Sequence, residues 1–275
     1  MKLPLYWIDA FTDRVFSGNP AAVVPLDTWP DAAVLQRIAF ENRLSETAFV
    51  VRTGAARLHL RWFTPALEVD LCGHATLATA FTLFTQLGQS GNQIVFDTKS
   101  GPLTVARRPD GKLEMDFPAR TAMRLDPAEV PAPMRESLAG TRPAEWLKVT
   151  THAHYVALFA TEAEVRALRP DFPRIASLGD ARLLATAPGT DCDFVSRYFA
   201  PGAGINEDPV TGSAHATLVP YWAGRLGETI LHARQVSARG GELWCEHVPG
   251  RGTAESRVRI AGQAVLYLRG ELNLP

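Results

Sequence analysis

Arg57–Trp62 alternates strictly, with Leu58, Leu60 and Trp62 on one face and Arg57, His59 and Arg61 on the other. That period of two predicts a strand buried on one side. Apolar or β-branched runs at 3–10, 21–25 and 47–52 predict further strands around it. Residues 29–41 put Val34, Leu35 and Ile38 on one face and predict a helix, with Thr28 as its cap and Pro30 in its first turn. A second helix is predicted over 74–87, stopped by Gly88. Short strands near 93–98, 102–108 and 112–117 follow. Residues 118–145, rich in Pro, Ala, Arg and Glu, predict a connector with one helical turn. Strands resume near 146–150 and 154–160, and Thr161-Glu162-Ala163-Glu164 is a capping box opening a short helix that ends before Pro170. Strands near 182–187 and 193–199, a helix over 213–226 stopped by Gly227, and strands near 231–237, 242–247, 256–261 and 263–269 complete the pattern.

The pattern repeats. Cys72-Gly73-His74-Ala75-Thr76-Leu77 is similar to Thr211-Gly212-Ser213-Ala214-His215-Ala216-Thr217-Leu218, and the leading glycines lie 139 residues apart, about half the chain. Each is followed fifteen residues later by a second glycine, Gly88 or Gly227, and then by a run of short strands. Matching helix lengths and matching downstream strands argue for an internal duplication. The expected fold is α+β, with two similar halves, each a curved, mostly antiparallel sheet around a central helix. The halves are expected at residues 1–117 and 118–275, with the last strand, about 264–275, able to join the first half, and with the active site in a cleft between them.

Composition narrows the class of partner. With 46% hydrophobic and 21% charged residues the chain has the make-up of a soluble globular protein. A net charge of −1 gives no electrostatic case for nucleic acid or a membrane surface. No apolar run reaches the roughly 20 residues of a membrane helix. The segment Met1–Asp9 lacks the apolar core of a signal peptide and predicts a strand. Cys72, Cys192 and Cys245 fit neither a disulfide framework nor a zinc spacing, so a reducing cytoplasm is the expected location.

Two helix starts and one carboxylate carry the candidate chemistry. A helix start leaves N–H groups unpaired and carries partial positive charge, which suits a carboxylate or phosphate. Gly73 and Gly212 at the mouths would let a ligand approach the backbone, although glycines there also permit tight helix–strand packing. Beside them stand His74, Ser213 and the run Asn206-Glu207-Asp208-Pro209. His74 also reads as a core histidine, and Asp208 as a turn residue that complements the helix dipole. Glu46, in Leu44-Ser45-Glu46-Thr47-Ala48-Phe49-Val50, begins an apolar strand. It is either a solvated strand-end charge or a buried acid tuned for proton transfer at carbon, with Arg43 or His74 as the tuning neighbour. Cys72 is the rival base, but Thr211 at its duplicated position disfavours a two-thiol racemase. There is no phosphate loop, dinucleotide fingerprint, nucleophile elbow or histidine metal spacing.

Taken together, Asp9-Ala10-Phe11-Thr12, Phe16-Ser17-Gly18-Asn19-Pro20, Leu44–Val50, Arg61-Trp62-Phe63-Thr64-Pro65, Glu68, Leu71–Thr76, Arg197-Tyr198-Phe199-Ala200-Pro201-Gly202 and Glu207–Ala214 resemble the PhzF-like family of phenazine biosynthesis. The resemblance runs in order from about residue 6 to about 245, and departs at Ala233-Arg234-Gln235-Val236, where the family often has Gly in place of Val236. It implies a diaminopimelate-epimerase-like fold, a homodimer, no cofactor and a small carboxylate-bearing substrate. In the phenazine enzyme a glutamate shuttles a proton within dihydro-3-hydroxyanthranilate and moves a double bond. Glu46 falls on that glutamate, His74 and Asp208 on residues that surround and tune the substrate, and Gly73, Ser213 and Asn19 on substrate-binding positions. The expectation is therefore a cofactor-independent isomerase. The alternatives are an amino-acid or hydroxy-acid epimerase of the same fold and a non-catalytic binding protein.

Overall fold

Leu58, Leu60 and Trp62 are at most 3% exposed in a computed structural model that describes residues 1–54, 57–250 and 255–274, so the alternating face is a core face. The chain forms two units, Met1–Asp116 with Ala261–Pro275, and Phe117–Ile260.

The first unit runs β1 (Lys2–Ala10), β2 (Asn19–Leu26), α1 (Ala32–Asn42), β3 (Glu46–Arg52), β4 (Leu58–Phe63), β5 (Glu68–Val69), α2 (Gly73–Thr85), β6 (Gln93–Asp97), β7 (Leu103–Arg107) and β8 (Leu113–Pro118). It recovers the C-terminal strand, Ala264–Asn273, which pairs antiparallel with β1. Its strands pair antiparallel except β2–β3 and β4–β6. A parallel pair needs a crossover to turn the chain round, and the two helices are those crossovers. The outer one, α1, lays Leu35, Ile38 and Ala39 on Val24, Phe49, Val51 and Phe63. The inner one, α2, packs on β1, β2, β3, β7 and the C-terminal strand, and ten of its thirteen residues are buried. It has no wet face, so its polar side chains must be satisfied internally. Thr76, Thr79 and Thr82 do this by donating to the carbonyls of Cys72, Ala75 and Ala78 at 2.6, 2.7 and 2.9 Å.

Two local expectations change. Helix α1 starts at Ala32, and its cap is Asp31, whose carboxylate accepts from the Ala33 N–H at 2.8 Å. A carboxylate both bonds the orphan N–H and complements the dipole, and so displaces Thr28 from the role. Helix α2 ends at Thr85, and Gly88 turns the chain just beyond it at φ 66°. The step into β2 needs glycine: Gly18 has φ 65°, and a Cβ there would lie 2.2 Å from the Ala10 carbonyl oxygen. That close approach sets Asn19 at the head of β2, opposite Ala10.

The second unit runs β9 (Ala122–Leu125), α3 (Ala132–Glu136), β10 (Glu145–Val149), β11 (His154–Leu158), α4 (Glu162–Ala167), α5 (Phe172–Ala176), β12 (Arg182–Pro188), β13 (Phe194–Ala200), β14 (Ile205–Asp208), α6 (Gly212–Leu226), β15 (Ile230–Gln235), β16 (Gly241–Val248) and β17 (Arg257–Gly262). Strand β9 falls in the segment expected to be a connector, and α5 was not anticipated. β9 is mostly exposed and has no apolar alternation; its pairing with β10 makes it a strand. The capping box at Thr161 forms as expected.

The pairings repeat those of the first unit. β11–β12 and β13–β15 are parallel, with α4–α5 and α6 as crossovers, just as α1 and α2 serve β2–β3 and β4–β6. β9 pairs with β10 as the C-terminal strand pairs with β1. The copy extends to an ion pair. Arg61 holds Glu68 through two bonds of 2.8 and 2.9 Å across β4–β5, and Arg197 holds Glu207 through two bonds of 2.7 and 2.9 Å across β13–β14. In both hairpins the glutamate stands opposite a phenylalanine, Phe63 or Phe199, and five residues before the glycine that opens the buried helix.

Candidate active site

Glu46 is the first residue of β3, opposite Ala21 of parallel β2. His74 is the second residue of α2. Their meeting follows from the crossover geometry, since α2 packs on both β2 and β3. The His74 Nε2 lies 3.1 Å from the Glu46 Oε2, with side-chain exposures of 6% and 13%. Both atoms are shut off from solvent, and neither has an aligned hydrogen-bond partner among the described residues. On the far side of the ring, Asn19 Nδ2 lies 3.2 Å and Cys72 Sγ 3.5 Å from Nδ1. With the Asn19 amide donating to Nδ1, the neutral ring carries its proton on Nε2, facing Glu46. Arg43, the other proposed tuning neighbour, lies over the Phe40 ring, 4.4 Å from its centroid.

Electrostatics separates the two rival bases. Burial pushes the Cys72 thiol up to about 11, so it is a neutral thiol near pH 7. Burial works against the His74 imidazolium, but the Cys72 sulfur and the Glu46 carboxylate outweigh it and raise the His74 pKa well above that of an ordinary histidine. With Cys72 neutral, the carboxylate is the charge that acts on the ring near pH 7. Cys72 is thus a packing neighbour of the pair.

The other residues expected at the site lie on the second unit. Asp208 ends β14 opposite Tyr198, and its carboxylate accepts a short hydrogen bond from the Thr211 hydroxyl. Gly212 and Ser213 are the first residues of α6. Neither α2 nor α6 has a side-chain cap: Cys72 and Thr211 hold the cap positions, but their side chains make no bond to the helix N–H groups, and the Thr211 hydroxyl is turned to Asp208 instead. Sequence reasoning missed Gln235. It is 1% exposed, accepts from the Thr211 N–H at 2.8 Å and donates to the Asp208 carbonyl at 2.6 Å, tying the end of β14 to the start of α6. The signal was present, for Gln235 continues the buried face of Leu231 and Ala233, where a polar side chain needs a partner.

His215, one turn into α6, is fully buried. Its Nδ1–H donates to the Thr211 carbonyl at 2.9 Å, and Nε2 has no hydrogen-bond partner among the described residues. Burial pushes its pKa down to about 4. Between that value and the ordinary histidine range, the unfolded chain binds a proton that the folded one refuses, so stability falls as pH is lowered. This one residue is expected to account for about 2 kcal/mol of lost stability between about pH 7 and about pH 5. His154, also pushed to about 4 by burial, shares the window, whereas His74 is shifted the other way and titrates above it. Urea midpoints across this range are expected to show a shallower acid limb in His215→Leu, and an unchanged slope would refute the assignment.

Among the described residues, no helix is long and apolar enough to cross a membrane. The paired units, each built on a buried crossover helix, define an epimerase-like fold. A predicted epimerase of Pseudomonas aeruginosa shares it at a TM-score of 0.70 and 21% identity, covering 99% of this chain and 100% of that one, a likeness of fold alone. The chain belongs to the phenazine biosynthesis-like protein family, whose model matches residues 8–270. It is 50% identical over 275 residues to an "uncharacterized isomerase" of Pseudomonas aeruginosa, covering 100% of both chains. The crystal structure of a PhzF-family phenazine biosynthesis protein of Enterococcus faecalis matches with a TM-score of 0.90 at 44% identity, again over 100% of both.

Proposed function

We propose that the protein is an isomerase that moves a proton, and with it a double bond, on a small carboxylate-bearing molecule of the dihydro-3-hydroxyanthranilate type. The observation that carries this reading is the buried Glu46–His74 contact at 3.1 Å. Glu46 takes a proton from an activated carbon, the C–H electron pair shifts into the conjugated system, and the same carboxyl returns the proton to another carbon on the same face. Bonds and electrons balance within the substrate, so the step needs no redox partner or cofactor. His74 steadies the carboxylate, and Asn19, 3.2 Å from the far ring nitrogen, positions the ring for that contact. Asp208 tunes the substrate. Gly73, Gly212 and Ser213 bind it, with helix-start N–H groups stabilising developing negative charge by several kcal/mol, as in other dry oxyanion sites. The relative named as an isomerase, alike over its full length, supports the reaction class. The protein acts in the cytoplasm as a homodimer.

An epimerase needs bases on both faces of one carbon. Cys72, neutral at pH 7, and Thr211, engaged with Asp208, do not supply them. Turnover of dihydro-3-hydroxyanthranilate in D₂O separates the readings. The substrate's own proton is expected at the newly protonated carbon, diluted only by the deuterium that the Glu46 carboxyl picks up from solvent during the transfer. Inversion of D- or L-amino acids with exchange, and no turnover of the diene, would overturn the proposal.

A further inference from the structure

Glu46, Cys72 and His74 form a second pattern in the same place. One oxygen, one sulfur and one ring nitrogen from these residues all lie within 4.8 Å of one another. The set crosses three chemistries, carboxylate, thiol and imidazole, which are the ligand types of zinc and not those of calcium or magnesium. We propose that these three side chains bind a borderline-soft divalent cation of the zinc type, with the fourth position left to water.

The geometry is close to what such an ion needs. Tetrahedral zinc with ordinary bond lengths sets a sulfur–nitrogen edge of roughly 3.5 Å and a nitrogen–oxygen edge of roughly 3.4 Å. Cys72 Sγ lies 3.5 Å from one ring nitrogen of His74, and Glu46 Oε2 lies 3.1 Å from the other. Whichever nitrogen serves, one donor pair already stands near the edge length of the tetrahedron, and one ligand atom from each of the three side chains lies within 4.8 Å of the others. Charge also balances once binding displaces the Cys72 thiol proton and the His74 ring proton to solvent, since the resulting thiolate and the carboxylate neutralise a doubly charged cation inside a site that solvent barely reaches. Those two anions also offset the unfavourable field of the α2 start. The ion would engage two buried atoms, Glu46 Oε2 and His74 Nε2, that have no other aligned partner among the described residues. Sequence spacing does not reveal the set, because Glu46 lies on another element, 26 residues before Cys72. If the isomerase reading holds, the cation removes the general base and is an inhibitor. The binding itself does not depend on that reading.

Cadmium is the probe, because thiolate-to-cadmium charge transfer absorbs in the near ultraviolet. Titrating the full-length, ligand-free protein with Cd²⁺ is expected to produce the band at one equivalent, and Zn²⁺ is expected to compete it away. Cys72→Ser should lose the band. His74→Ala and Glu46→Gln should weaken Cd²⁺ by more than the roughly 10–100-fold that a lost outer-shell partner costs. Cys192→Ser should keep the band, which covers the case of a Cys72 variant that fails to fold. A wild-type protein without the band, or a band that survives in folded Cys72→Ser, would overturn the site. Because no substrate is present, neither result bears on the proton transfer.

Discussion

Replacing Glu46 with Gln is expected to lower turnover by roughly 10²–10⁴-fold, the span that a positioned general acid/base contributes. That corresponds to about 3–5 kcal/mol of transition-state stabilisation. The substitution keeps the volume of the side chain and leaves a carbonyl oxygen that can accept from His74 Nε2–H, so the packing of β3 against β2 and α2 should persist. The thermal midpoint is therefore expected to move by only a few degrees, while kcat falls and KM stays within a few-fold, the signature of an interaction made in the transition state. Transfer of a deuterium label from the deprotonated carbon of the substrate to the newly protonated carbon should cease. Turnover near the wild-type level in this variant would remove Glu46 from the chemistry. A parallel loss of kcat and of the folded state would show instead that the carboxylate is a structural part of the β3–α2 contact.

The fold was legible in the sequence where a pattern repeats. Paired glycines fifteen residues apart around Gly73 and Gly212 marked both buried helices, and the alternation at Arg57–Trp62 marked a core strand. What escaped were elements whose identity is conferred by a distant partner. β9 is a strand because β10 is beside it; the C-terminal strand, by contrast, was expected to be able to join the first half, and it does so by pairing with β1. The site divides the same way. Glu46 alone reads more readily as a solvated strand-end charge, and its contact with His74 arises only when α2 crosses behind β2 and β3. Gln235 was visible as a polar residue on a buried face, yet its partners, Asp208 and Thr211, lie more than twenty residues away in the chain.

Glu207→Ala is expected to destabilise the second unit by about 3–5 kcal/mol, the usual result of leaving one half of a buried ion pair uncompensated. With a shift of about 2–4 °C per kcal/mol for a unit of this size, its thermal midpoint should fall on the order of 10 °C. Arg197 is only 8% exposed. Besides the two bonds to Glu207, its Nη1 donates to the carbonyls of Val165 and Leu168 at the end of α4, at 3.1 and 2.9 Å, and its guanidinium lies over the Phe199 ring. Those carbonyls fix the guanidinium in place, so without Glu207 the charge has neither a counter-ion nor an easy route to water. The duplicated clasp supplies the control. Arg61 has 19% side-chain exposure, and Glu68 also meets Lys99 at 3.4 Å, so Glu68→Ala leaves a cation that water can reach and is expected to cost less. Removing both partners with Arg197→Met and Glu207→Leu should recover part of the loss, since paired apolar groups need no counter-charge, but not all of it, because the α4 carbonyls lose their donor. Equal midpoints for Glu207→Ala and Glu68→Ala would show that burial does not set the strength of these clasps. A larger loss in the double variant than in Glu207→Ala would show that the carbonyl bonds, and not the ion pair, hold β13 to α4.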